Sequence, residues 1–161
     1  MRAISGRCRA ILPSEKLSFF NPDVSDLNGD DEDQRVLAGR CECRAVRYEV
    51  ADEFRYAANC HCSNCRASTG SAFKPFAGIE RDKLRVVEGD LMIVGTEDEN
   101  HTRCAACGSL LYSVVRDGEW VHVALGSLED EPGIRPTEHI FVGSKAPWYE
   151  ITDDLPQNEE Y

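Results

Sequence analysis

Seven of the eight cysteines fall into three tight groups, Cys41/Cys43, Cys60/Cys62/Cys65 and Cys104/Cys107. No other feature constrains the fold as strongly. Thiols two or three residues apart are typical ligands of a single metal ion, and distant groups must then be folded together. The densest stretch is Cys60-His61-Cys62-Ser63-Asn64-Cys65. How the seven sulfurs divide decides whether metal only holds the fold together or also does chemistry.

In a secreted chain this many thiols would suggest disulfides. Met1 to Phe20 contains no apolar run of seven residues, and no later segment has the length and apolarity of a membrane span. Met1 to Ser14 carries three arginines and no acid, a faint likeness to a transit peptide without a clear amphipathic pattern. A reducing cytoplasm is the expected location, and there clustered cysteines are more often metal ligands.

The net charge is −11, and much of it lies near the ends. Residues 1–34 hold four basic and seven acidic side chains, and residues 150–161 hold five acids and no base. The remainder is close to balance and offers no basic stripe, so neither nucleic acid nor a membrane is expected as a partner. Residues 1–34 read as a flexible acidic arm, and residues 158–161 as a short acidic tail. A calcium-loop match around Gly29 fails because Val24 occupies the first carboxylate position. The chain between, residues 35–157, is expected to form one domain.

Within that domain the pattern is one of short strands. Ala45 to Val50 alternates apolar and polar residues at period two, and Phe73–Ile79, Leu84–Val87 and Leu91–Gly95 are further candidates. Asp117-Gly118 suits the positive backbone angles of a tight turn and predicts a hairpin joining Leu110–Arg116 to Trp120–Leu125. His139 to Val142 closes with another strand. Only the turn or two after Cys62, ending near Gly70, reads as helix. The expected architecture is mainly β, with short antiparallel strands and hairpins, little helix, and metal knuckles at the turns.

Cys41 and Cys43, two apart on a strand, project to one side. Cys104-Ala105-Ala106-Cys107-Gly108 curls two thiolates toward one point. Together they supply four sulfurs, enough to close a tetrahedral structural zinc. Cys60, Cys62 and Cys65 then form a set of three, which leaves a fourth position open, as catalytic zinc sites do. A second division pairs Cys62/Cys65 with Cys104/Cys107 as an ordinary zinc ribbon and leaves Cys41, Cys43 and Cys60 without a role. A thioredoxin-like pair lacks its βαβ context.

These residues resemble the glutathione-dependent formaldehyde-activating enzyme family, which includes the centromere protein V type of domain. The matching motifs are Gly39-Arg40-Cys41-Glu42-Cys43 with Arg47-Tyr48, Cys60 to Arg66 with Gly70, Cys104-Ala105-Ala106-Cys107-Gly108-Ser109, Gly126-Ser127-Leu128, Pro136 to Ile140, and Pro147-Trp148. The resemblance covers roughly residues 36–157. It implies an Mss4-like β fold. It implies a structural zinc on Cys41, Cys43, Cys104 and Cys107, and a more labile catalytic zinc on Cys60, Cys62 and Cys65. It also implies a carbon–sulfur lyase-type activity on thiol/aldehyde adducts such as glutathione plus formaldehyde. Two residues depart from the family pattern: Arg44 stands where a glycine often follows the second cysteine, and Arg103 where an aromatic often precedes Cys104.

Other residues have plainer readings beside functional ones. His61 is expected to point outward or to support the ligands from behind. His139 is either a pocket wall or a satisfied strand histidine, His122 the polar face of a hairpin, and His101 part of a polar turn. Arg66 either meets an acidic substrate or neutralises the thiolate loop. Phe73, Phe76 and Trp148 are pocket or core, and Cys8 is a spare thiol. The leading expectation is a zinc-dependent enzyme. The alternatives are a non-enzymatic zinc-binding interaction module and a thiol-based redox or metal sensor.

Overall fold

The computed structural model describes residues 34–160. The expected arm, with Cys8, lies outside the described residues apart from Gln34. Eleven short strands and one short helix make up the described chain. In order they are β1 (Val36–Arg40), β2 (Arg47–Ala51), β3 (Tyr56–Cys60), α1 (Ser63–Thr69), β4 (Lys74–Glu80), β5 (Leu84–Glu88) and β6 (Leu91–Gly95). Then follow β7 (Asn100–Cys104), β8 (Leu110–Val115), β9 (Trp120–Ala124), β10 (His139–Ile140) and β11 (Gln157–Asn158). Single 3₁₀ turns occupy Arg81–Lys83, Leu125–Ser127 and Val142–Ser144.

The strands form a three-stranded sheet, β1-β2-β5, and an eight-stranded sheet, β11-β10-β3-β4-β9-β8-β7-β6. Pairing is antiparallel except around β10, which runs parallel to both β3 and β11. Leu37, Val46, Tyr48 and Val50 pack against Leu111, Val114, Val121 and Val123 in the principal core. A smaller cluster, Ala58, Cys60, Phe76 and Ile140 with Cys62 and Cys65 packed on it, holds the thiol-rich loop. The mainly β expectation is met. Gln157–Asn158 is hydrogen-bonded strand, so the segment expected as a tail begins inside β11.

Local sequence explains the turns. Arg116, Asp117 and Gly118 all take positive φ, which Asp-Gly tolerates and most residues avoid. Arg44 also sits at φ 66, a left-handed conformation that glycine would adopt without strain. Gly39 answers a packing demand instead. A Cβ there would lie 2.1 Å from the Tyr48 ring, whose hydroxyl reaches Ser127 Oγ at 2.7 Å.

Among the strands that escape sequence reading are β3 and β7. Tyr56–Cys60 is mostly small residues, and Asn100–Cys104 is largely polar, so neither carries β propensity or clean alternation. His101 is therefore a strand residue rather than part of a turn, with Nδ1 2.8 Å from Ser113 Oγ. His122 is also corrected. Its ring stacks on Phe76 with centroids 4.1 Å apart and its Nε2 meets the Tyr56 hydroxyl at 2.8 Å, so this half-buried residue packs among neighbouring rings instead of facing open solvent. Trp148 is neither core nor buried pocket wall, being 71% exposed.

Candidate metal centres

The β1–β2 turn and the β7–β8 turn bring Cys41, Cys43, Cys104 and Cys107 together, with all four sulfurs within 4.8 Å of one another. Cys41 and Cys43 converge through the turn that follows β1, rather than through alternation on a strand. Arg44 N–H donates to Cys41 O at 3.2 Å, and Val46 N–H reaches Cys41 Sγ at 3.2 Å. On the opposite side, Gly108 N–H donates to Cys104 O at 3.0 Å and closes the knuckle. Cys41 and Cys104 are buried, whereas Cys43 and Cys107 face solvent.

Sulfur spacing tests the fit of a metal. Cys41 and Cys43 are 3.5 Å apart, and Cys43 and Cys104 are 3.8 Å apart. A disulfide needs about 2 Å, whereas four bonds of about 2.3 Å to a tetrahedral ion place sulfurs roughly 3.8 Å apart. The seven described cysteines are unbridged. The acidities within the group are divided. The Ser109 hydroxyl, helped by N–H groups of Cys43 and Ser109, holds Cys107 down at about 5. Cys43, drawn down by the Ala45 backbone but pushed up by Cys41 and Cys107, stands at about 12.

Cys60, Cys62 and Cys65 form the second group, also within 4.8 Å. Cys60 ends β3, Cys62 caps α1 by accepting the Cys65 N–H at 3.3 Å, and Cys65 lies in the first turn. The helix ends at Gly70, in the left-handed conformation, as its sequence predicts. The groups assemble as four plus three. The ribbon pairing of Cys62/Cys65 with Cys104/Cys107 is not what the fold brings together.

Hydrogen bonding from Cys60, then from Cys65, draws the Cys62 thiol far below its ordinary range. Cys62, then Cys65, pushes Cys60 up in return. A lowered pKa means thiolate at lower pH, so in the metal-free chain Cys62 ionises first. Iodoacetamide at pH 6 is therefore expected to label Cys62 at least about tenfold faster than Cys60. Peptide mass spectrometry reads the order, and equal rates would contradict the assignment.

Behind the loop runs a chain of polar groups that the sequence did not disclose in full. His61 is fully buried, correcting the outward expectation, and its Nε2 lies 2.8 Å from His139 Nδ1. His139 Nε2 lies 3.1 Å from both carboxylate oxygens of Asp153. The parallel β3–β10 pairing sets this up, because it aligns Asn59 with His139 and lets His61 N–H donate to Ile140 O at 2.9 Å. Asp153 is held low first by the Leu155 N–H and then by His139. An ionised carboxylate only accepts, so His139 donates from Nε2 and accepts at Nδ1 from His61 Nε2–H. His61 Nδ1 is buried and makes no close hydrogen bond among the described residues, although the Ala72 backbone lies near enough to the ring to favour its protonated form. Burial first, and the nearby His139 second, keep His61 neutral. Phe73 and Tyr149 rings flank it with centroids 5.3 and 6.0 Å away.

Lys74 also went unnoticed in the sequence. It pairs across the sheet with Cys60, is buried, and donates to Ser113 Oγ at 3.0 Å. Among the described residues no carboxylate lies within ion-pair distance of it. Arg66 resolves toward the loop, its Nε donating to His61 O at 3.3 Å. A cleft of about 810 Å³ lies beside the four-cysteine group, lined in part by Cys41, Cys107, Ser68 at the end of α1, Lys74, Arg103 and Ser127, and none of Cys60, Cys62 and Cys65 lines it.

Comparison with known proteins places this geometry. The profile of the family described as glutathione-dependent formaldehyde-activating enzyme matches residues 36–144, a span that holds both cysteine groups. A Halomonas elongata protein, whose name assigns it provisionally to that enzyme, is 28% identical over 130 residues, covering 72% of this chain and 81% of its own. A crystal structure of a Rhodobacter sphaeroides protein is 32% identical with a TM-score of 0.49, covering 62% of this chain and 98% of that one. With most of the described domain inside the matched span, the chain belongs to the glutathione-dependent formaldehyde-activating enzyme family.

Proposed function

We propose that residues 35–157 form a zinc-dependent enzyme of carbon–sulfur lyase type, acting on a small thiol and an aldehyde in a reducing cytoplasm. Glutathione with formaldehyde is the pair that the family description suggests. The observation carrying this reading is the unequal division of sulfurs into a closed set of four and an incomplete set of three. Cys41, Cys43, Cys104 and Cys107 would hold a structural ion, and Cys60, Cys62 and Cys65 a labile one. Zinc bound at the second set supplies Lewis acidity and lowers the pKa of a thiol that joins it.

In the synthetic direction the thiol sulfur bonds to the aldehyde carbon, the carbonyl π bond opens, and the thiol proton ends on the new hydroxyl. No oxidant or reductant is needed. The chain's own groups serve this chemistry in separate ways. Lys74 sets a positive charge on the strand facing Cys60, favouring an anionic sulfur nearby. Asp153 holds the His139 proton at Nε2, and His139 in turn holds the His61 proton at Nε2, which keeps the loop histidine in one tautomer. The aromatic rings of Phe73 and Tyr149 limit water on that side. No described helix is long and apolar enough to cross a membrane.

Cys62→Ser is expected to lose the labile metal and to lower thiol–aldehyde turnover at least about a hundredfold, with the fold retained. Product formation from glutathione and a panel of small aldehydes, with metal content per chain, tests this. Loss of the second metal with unchanged turnover of every pair would leave the interaction-module reading standing. Exposed Met92, Ile93 and Val94 on edge strand β6 would be its natural surface.

A further inference from the structure

We infer that Arg103 is a positioning residue that straps the helix of the three-cysteine site to the knuckle of the four-cysteine site, so that metal binding at the two is coupled. The inference rests on the reading that both groups hold metal. Arg103 directly precedes Cys104, and its guanidinium reaches in two directions. Nη1 donates to Gly108 O at 2.8 Å, within the knuckle that Cys104 and Cys107 anchor. Nη2 donates to Ser68 O, near the end of α1. Ser68 is itself tied to the ligand turn, since its hydroxyl donates to Cys65 O at 3.0 Å. One planar fork therefore spans two cysteine-bearing segments 35 residues apart in sequence.

The strap matters because α1 has little else to hold it. The helix is seven residues long and fully buries none of them, so only the packing of Cys65 on the small apolar cluster fixes it from the core side. Its anchors are the three sulfurs, Arg66 reaching back to His61 O, and Arg103. The last carbonyls of a helix lack internal partners and favour a cation, which suits the guanidinium at Ser68. With the sulfurs unliganded, Arg103 is the side chain that ties this helix to the four-cysteine knuckle. Ser68, Arg103 and Gly108 also share the wall of the cleft beside the four-cysteine group. Coupling of this kind is reciprocal, with each site steadying the other. A lysine could reach one carbonyl but not both.

The test uses the full chain loaded with cobalt(II) alone, followed by thiolate–cobalt absorption during release to excess chelator. The fast phase belongs to the three-cysteine site and is identified by its loss in Cys62→Ser. Arg103→Met is expected to speed that phase about tenfold, the scale of losing hydrogen bonds from a charged donor. Arg103→Lys should recover part of the effect, which a general packing loss would not explain. In a double-mutant cycle, Cys107→Ser should speed the fast phase by itself but add little once Arg103→Met is present. Additive effects in the cycle, or an unchanged fast phase in Arg103→Met, would overturn the inference. Should Arg103→Met fail to fold, Arg103→Lys decides, an intermediate rate supporting the strap and a wild-type rate refuting it. Absence of thiolate–cobalt absorption in the wild-type chain would overturn the metal reading itself.

Discussion

Cys104→Ser is expected to abolish the cooperative unfolding transition of the domain at neutral pH. Cys104 is wholly buried in the principal core beside Leu37, Val46 and Leu111, and its sulfur lies 3.8 Å from that of Cys43. Serine there would put a hydroxyl among apolar neighbours, at a cost of about 1–3 kcal/mol. It would also remove one of four ligands from the proposed structural ion, and such ions contribute on the order of 10 kcal/mol to small metal-bound domains. Net stabilities are only about 5–15 kcal/mol, so the sum suffices to unfold the chain. Cys62→Ser touches a half-buried cap instead and should leave the fold standing. Circular dichroism against denaturant compares the two. A Cys104→Ser protein with a near wild-type midpoint would show that the four-cysteine group does not hold the domain together.

Acid should unfold the domain well before its carboxylates are exhausted. Burial, reinforced by Lys74 and Arg116, depresses the His122 pKa to about 3, and burial also lowers His61 and His101. A depressed folded-state pKa means stability that is fully present above the unfolded value, near 6.5, and is lost as pH falls toward the folded value. Between pH 6.5 and 4, His122 alone should cost roughly 3 kcal/mol. Thiol protonation and metal release act in the same range, so the proof lies in a difference between proteins. His122→Phe retains a flat ring against Phe76 but cannot gain a proton. Relative to wild type it should lose stability at pH 7, where the hydrogen bond between the ring and the Tyr56 hydroxyl is lost, and regain the difference by pH 4. Parallel pH profiles for the two proteins would exclude His122 as a source of acid sensitivity.

What the sequence made legible was local. Asp117-Gly118 declares its hairpin because few other pairs accept those backbone angles, and Cys62 and Gly70 mark the ends of α1 because a cap and a left-handed stop are chemical necessities. The four-plus-three grouping was one of two divisions that spacing allowed, and the turns chose between them. Asp153 could not be anticipated, since an acid in an acid-rich segment meets His139 only through a tertiary fold. Lys74 was read into a strand, yet nothing local indicated that its ammonium would be buried beside Ser113. His122 misled because alternation promises open solvent on one face, whereas here the Tyr56 and Phe76 rings cover its side of the strand.

The parallel ladder of β3, β10 and β11 carries a consequence for the order of assembly. His61 and His139 are 78 residues apart, so the loop of three thiols leaves the ribosome long before its supporting strand exists. Closing a segment of that length costs entropy that only late, non-local contacts repay. The hairpins between them can form as they emerge, since each joins neighbours in sequence. During translation the nascent chain therefore passes through a stage in which Cys60, Cys62 and Cys65 are already present while their histidine backing is not. Completion of this site therefore waits on the strand that carries His139, one of the last to be made.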